Sequence, residues 1–139
     1  MAKVVVHKFG GTSVLREAAT MFEIILASIR AGELPVVVVS ALAGVTNLLE
    51  QVFVDRHDQK LVEEHFVKID ELHRAWLWDR GILDTLLDTQ LTSLRSKFTA
   101  ACKEARSFQQ QRDAILAMGE PLSAAGFAAY FDERVVFLS

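Results

Sequence analysis

The chain is poor in cysteine and proline. Its single cysteine, Cys102, excludes an internal disulfide and suits a reducing compartment. Two prolines, Pro35 and Pro121, and seven glycines leave no linker-like tract in 139 residues. Internal repeats and low-complexity runs are also lacking. Neither sign of charge dominates: 15 Lys and Arg against 18 Asp and Glu give a net charge of −3. That balance offers no basic surface to nucleic acid or to an anionic membrane. No stretch approaches the ~20 apolar residues of a membrane span, and Val4-Val5-Val6 is too short for a signal-peptide core. What remains is a composition of 51% hydrophobic and 24% charged residues, that of a soluble globular domain able to bury a core. The expected location is cytoplasmic.

Three short runs are apolar and β-branched: Val4-Val5-Val6, Val36-Val37-Val38-Val39 and Val135-Val136-Phe137-Leu138. They are continuous rather than alternating, which predicts parallel strands covered on both faces. Between the first two, Met21, Phe22, Ile25, Leu26 and Ile29 recur at spacings of three and four and predict an amphipathic helix. Thr12 or Ser13 is suited to cap its start, and Gly32 its end. Strand, helix and strand in some 35 residues make a right-handed βαβ unit. From about Leu48 to Phe131 the pattern is helical. Val62, Phe66, Ile69 and Trp76 form one stripe, and Leu83, Leu87, Leu91, Leu94 and Phe98 another. Asp84 or Asp79-Arg80-Gly81 marks the break between them. A third helical segment, from about Phe108 to Phe131, is rich in small residues.

The chemistry lies where strands end. His7-Lys8-Phe9-Gly10-Gly11-Thr12-Ser13-Val14 is a strand-to-helix turn with two adjacent glycines. Without Cβ atoms the backbone can approach a ligand closely, and free N–H groups at a helix start suit a phosphate. Lys8 adds a full positive charge at the carboxyl end of the strand, where open α/β sheets bind ligands. The spacing matches neither the P-loop nor the dinucleotide fingerprint. The plain alternative is a tight turn beside a solvated lysine. The second strand ends in Ser40-Ala41-Leu42-Ala43-Gly44-Val45-Thr46-Asn47-Leu48-Leu49. Ser40 and Thr46 are placed to donate to a ligand over the same edge, or Thr46 or Asn47 merely caps the next helix. In Met118-Gly119-Glu120-Pro121-Leu122-Ser123, Pro121 predicts a break at Glu120 or a helix restarting with Pro121 in its first turn. Glu120 is then either aimed into a cleft or left as a helix-start carboxylate.

These three segments, in this order, resemble the motifs of the aspartokinases. Lys8 to Val14 is similar to their amino-terminal signature, the Ser40 to Leu49 segment to their second motif, and Gly119-Glu120 with Ser123 to their third. The resemblance spans the whole chain. It implies an α/β fold: a partial three-layer α/β/α sandwich of the amino acid kinase type, with a mainly parallel sheet and a helical middle segment at 55–107. It implies ATP-dependent phosphorylation of the side-chain carboxylate of L-aspartate to 4-phospho-L-aspartate with Mg2+, the entry to lysine, threonine and methionine synthesis. Homo-oligomerisation of the full-length enzyme is implied as well. Carried over by position, Lys8 contacts the transferring phosphoryl group and is the catalytic residue. Gly10 and Gly11 supply backbone donors to ATP. Thr46, with Ser40 near it, binds aspartate, and Glu120 pairs with its ammonium group. Pro121 departs from the family pattern. Residues 1–139 are expected to be the amino-terminal, substrate-side part. The family's later arginine, glycine-rich nucleotide-binding segment and ACT domains are expected to lie outside them. Another amino acid kinase, for glutamate or acetylglutamate, is the nearest alternative; Thr12-Ser13 and Thr46-Asn47 argue against it. A non-catalytic binding or regulatory module is the alternative from another class.

Overall fold

The computed structural model describes residues 1–82, 85–103 and 107–138. The chain opens with strand β1 (Val4–Phe9), a short helix α1 (Gly11–Arg16), helix α2 (Ala18–Arg30) and strand β2 (Leu34–Val39). The two strands pair in parallel, with Val6 opposite Val36 and Lys8 opposite Val38. This is the βαβ unit that the apolar runs predict. Helix α2 buries Met21, Phe22 and Ile25 along its predicted stripe. It ends as expected at Gly32, which takes a φ of 76°. There Glu33 N–H donates to Ser28 O and Gly32 N–H to Ile29 O, both at 3.0 Å, the pattern that closes a helix on a left-handed glycine.

Five further helices follow: α3 (Val45–Val54), α4 (Gln59–Trp78), α5 (Thr85–Lys103), α6 (Phe108–Leu116) and α7 (Gly119–Leu138). Helix α4 starts where the Asp58 carboxylate accepts from Lys60 and Leu61 N–H. Its stripe of Val62, Phe66, Ile69 and Trp76 is buried, and so are Leu87, Leu91 and Leu94 of α5. The break after α4 falls at Asp79-Arg80-Gly81 as expected. Leu83 and Asp84 lie outside the described residues. Ser107 and Gln110 form a reciprocal capping box at the start of α6. Phe108 to Asp132 is long and apolar enough to cross a membrane by length and composition alone. However, half of that window is buried in the protein, and α6 and α7 part at Ala117-Met118. These residues are core: Ile115, Leu122, Ala125, Phe127 and Tyr130 all pack inside.

Four expectations need correction. Val135-Val136-Phe137-Leu138 is not a third strand but the end of α7. A helix satisfies its backbone groups locally, whereas a strand needs a neighbour to do so, and local closure prevails here. The strands are not covered on both faces. Val5, His7 and Phe9 with Pro35, Val37 and Val39 face α2 and α7, and the His7 ring bonds Ser28 Oγ of α2 at 2.8 Å. On the other face Val4, Val6, Leu34, Val36 and Val38 are exposed. The single helix expected between the strands is two, broken at Glu17, whereas the segment from Phe108 restarts, as expected, with Pro121 in the first turn of α7. Finally, neither Thr12 nor Ser13 caps α1, and neither Thr46 nor Asn47 caps α3. Gly10 and Gly44 hold those positions, and no side chain caps either helix.

Candidate functional site

The carboxyl ends of β1 and β2 are joined by their own backbones. Ser40 N–H donates to Phe9 O at 3.0 Å, continuing the sheet one step past the strands. Ala43 N–H then reaches Gly11 O at 3.4 Å. Gly11 has to be glycine for this approach. A Cβ there would fall inside the carbonyl oxygen of Ala41 and 3.1 Å from Ala43 N. Both obstacles are backbone and cannot turn aside.

The third motif packs into the same place. A Cβ on Gly119 would sit 2.8 Å from Ala41 Cβ and 3.3 Å from both Val45 Cγ1 and Leu49 Cδ1. The Ser123 hydroxyl, buried one turn into α7, donates to Ser40 O at 2.6 Å. It also lies 3.1 Å from Glu120 O. Ala41 is therefore a hub. The starts of α1, α3 and α7 meet around it because Gly11, Ala41 and Gly119 are small enough to let them.

Each helix start leaves N–H groups without a helical partner. In α1 the first internal bond is Val14 N–H to Gly10 O, and around the start of α3 it is Leu48 N–H to Gly44 O. The partial positive charges of three helix starts thus gather at one end of the sheet, and anions are stabilised there. Lys8, the penultimate residue of β1, is exposed on the open face, with no ion pair or hydrogen bond from its ammonium group among the described residues. Gly10 is different from Gly11. Its φ of −75° suits any residue, and among the described residues nothing lies within 4 Å of where its Cβ would be. Neither conformation nor packing among the described residues accounts for glycine at this position.

The remaining predicted residues are also at this end. Thr46 is the second residue of α3 and exposed. Glu120 is the second residue of α7, exposed, with its carboxylate unpartnered among the described residues. Pro121 follows in the first turn, where its missing N–H costs no helical bond. Ser40 contributes its backbone to the tie between strands and to Ser123, and is half-buried. Sequence reasoning missed the parts that do the joining, namely Ala41 as hub and Gly119 as the close contact. The only signal was the smallness of residues next to motif positions. It also missed the far end of α1, where Trp76 Nε1–H donates to Val14 O at 3.0 Å and Arg80 Nη2–H to Leu15 O at 2.9 Å.

The geometry defines an α/β domain in which an exposed lysine, a bare glycine turn and three helix starts meet at the carboxyl ends of two parallel strands. The chain belongs to the amino acid kinase family, whose sequence profile matches residues 3–137. Among solved structures it resembles Escherichia coli aspartokinase III in complex with aspartate and ADP (R-state). The identity is 26% and the TM-score 0.73, over 96% of this chain and 29% of that one. The same enzyme in complex with lysine and aspartate (T-state) gives 27% identity and a TM-score of 0.69 over the same shares. The chain thus spans less than a third of the length of these enzymes. No curated protein sequence matches it.

Proposed function

We propose that this chain is the phosphate- and aspartate-facing part of an aspartokinase, which transfers the γ-phosphoryl group of ATP to the side-chain carboxylate of L-aspartate. The observation that carries the reading is the convergence of the three motif segments on Ala41. The resemblance to an enzyme crystallised with aspartate and ADP supports both ligands. In this reading the backbone N–H groups of Gly10 and Gly11 hold the phosphates, and Lys8 neutralises charge as it spreads over the phosphoryl oxygens. Thr46 and Ser40 hold the acceptor, and Glu120 pairs with its ammonium group. Mg2+, when bound together with ATP, would supply further charge neutralisation at the phosphates that Lys8 and the Gly10-Gly11 turn are proposed to hold. Among the described residues no group of three His, Cys, Asp or Glu side chains could hold a metal ion. Catalysis is proposed for the protein in which this region is joined to a nucleotide-binding half, as a cytoplasmic homo-oligomer, and none for residues 1–139 alone. Phosphoryl transfer depends on holding donor and acceptor in line, which half a site does not do.

The test is trapping of acyl phosphate by hydroxylamine, with ATP, Mg2+ and either L-aspartate, L-glutamate or N-acetyl-L-glutamate. Hydroxamate from aspartate alone, lost in Lys8→Ala, is the expected result. Preference for either glutamate compound would overturn the assigned acceptor. No turnover with any of the three in the joined protein would favour a binding module instead.

A further inference from the structure

We propose that Trp76 and Arg80, at the end of α4, are positioning residues for the Gly10-Gly11 turn at the opposite end of α1. The proposal rests on the reading of that turn as a phosphate site. Helix α1 has only six residues and no side-chain cap at its start. A helix of that length does not hold its shape unaided. Its first residue is tied to the loop that follows β2 by the bond from Ala43 N–H to Gly11 O. Its last turn leaves carbonyls that need donors, and α4 and the turn that follows it supply two. The buried indole of Trp76 donates to Val14 O at 3.0 Å, and Arg80 donates to Leu15 O at 2.9 Å.

Arg80 is itself held. A second guanidinium nitrogen donates to Trp76 O at 2.9 Å, and the group lies 4.3 Å over the Trp76 ring. It forms no ion pair with a carboxylate among the described residues, although Arg74, Arg95 and Arg112 all do. A half-buried cation without a carboxylate is kept where it meets the negative end of α1. Burial pushes its pKa below the usual guanidinium range, and the nearby Tyr130 and Asp79 offset part of that shift. Helix α1 is roughly 9 Å long at 1.5 Å per residue. Releasing its carboxyl end therefore lets the rod swing about the Gly11 tie, and the free N–H groups of the turn swing with it. Lysine, with a point charge and no fork, reaches only one of the two carbonyls that Arg80 bridges.

The test uses the ¹⁵N-labelled 139-residue chain, inorganic tripolyphosphate as probe, and the variants Arg80→Gln, Arg80→Lys and Trp76→Phe. Amide exchange at Val14 and Glu17 reports the hold on α1, and shifts at Gly10 and Gly11 report the probe. Arg80→Gln is expected to speed exchange at Val14 and Glu17 and to weaken tripolyphosphate binding, each about tenfold. Exchange in α5 should stay as in wild type. Arg80→Lys should recover part of both losses, and Trp76→Phe should show both without loss of charge. Wild-type binding retained in full by all three variants would overturn the positioning role alone. Absence of any wild-type response at Gly10 and Gly11 would overturn the phosphate reading, and the positioning role with it. Faster exchange throughout the chain, in step with weaker binding, would reduce Trp76 and Arg80 to general stabilisers.

Discussion

Gly11→Ala and Gly10→Ala should behave as opposites. At Gly11 the new methyl group meets the Ala41 carbonyl and the Ala43 amide, both backbone. Relief requires β1 and β2 to part at their carboxyl ends, which strains the bond from Ala43 N–H to Gly11 O. Overpacking of this kind costs about 1–3 kcal/mol. A strained or lost backbone hydrogen bond adds about 0.5–1.5 kcal/mol. Alanine's better helix propensity returns at most about 1 kcal/mol, and less at a first helical position. The net is a loss of about 2–3 kcal/mol, a large part of the ~5–15 kcal/mol that holds a domain folded. For a chain of this length the fall in Tm is roughly 6–10 °C. At Gly10 the methyl group meets open space at an ordinary φ, so stability should stay within about 0.5 kcal/mol of wild type. Urea denaturation followed by circular dichroism measures both. Tripolyphosphate binding should fail in the stable Gly10→Ala protein, because the methyl group occupies the ligand's space. An unchanged midpoint for Gly11→Ala would refute the close approach of the two loops. An equal loss in Gly10→Ala would refute the account of why that position is bare.

Lys8→Ala should leave the unfolding midpoint unchanged, since the ammonium group has no partner among the described residues, and should lower kcat in the joined kinase by ~10²–10³ with little change in KM for aspartate; steady-state kinetics decide it. Glu120→Gln should weaken L-aspartate binding and spare ATP, as read by calorimetry; equal losses for both would make it a helix-start carboxylate only. Ser123→Ala leaves Ser40 O without its side-chain donor and should cost about 1–3 kcal/mol in urea denaturation. His73 is buried with its Nδ1–H on Ile69 O at 2.7 Å and its Nε2 unpartnered, and burial lowers its pKa. The unfolded chain then takes up the proton more readily than the folded one. Stability should fall as pH drops below the ordinary histidine value of ~6.5, by at most ~1.4 kcal/mol per pH unit from this group. His73→Leu should flatten that part of the profile, and urea midpoints between pH 7 and 5 check it.

Local signals were readable where a residue's own backbone preference sets the outcome. The valine runs at 4–6 and 36–39 became strands, Gly32 closed α2, and Pro121 sits in the first turn of α7. The run at 135–138 has the same composition and became helix, because strand formation depends on a neighbour that composition does not reveal. The break at Glu17 has no proline or glycine to announce it; its bend turns the end of α1 toward Trp76 and Arg80. The places of Lys8, Gly10, Gly11, Ser40, Thr46 and Glu120 at strand ends and helix starts were legible from residue type, and the roles proposed for them rest on that placement. What joins them was not. Contacts between Gly11, Ala41 and Gly119 are separated by 30 to 78 positions in the chain and exist only once the βαβ unit has closed. Ser123 looked like one more small residue in an apolar helix, yet its hydroxyl ties the third motif to the second.

Three segments far apart in sequence meet at the carboxyl ends of the strands, and we propose that together they form one anion site. The most direct measurement is a pair of titrations of the ¹⁵N-labelled chain, one with inorganic tripolyphosphate and one with L-aspartate. Tripolyphosphate should move the amides of Gly10 and Gly11 most, and L-aspartate those of Thr46 and Glu120, with Ala41 and Ser123 responding to both. Responses confined to one segment, or centred on residues away from these strand ends, would contradict the account.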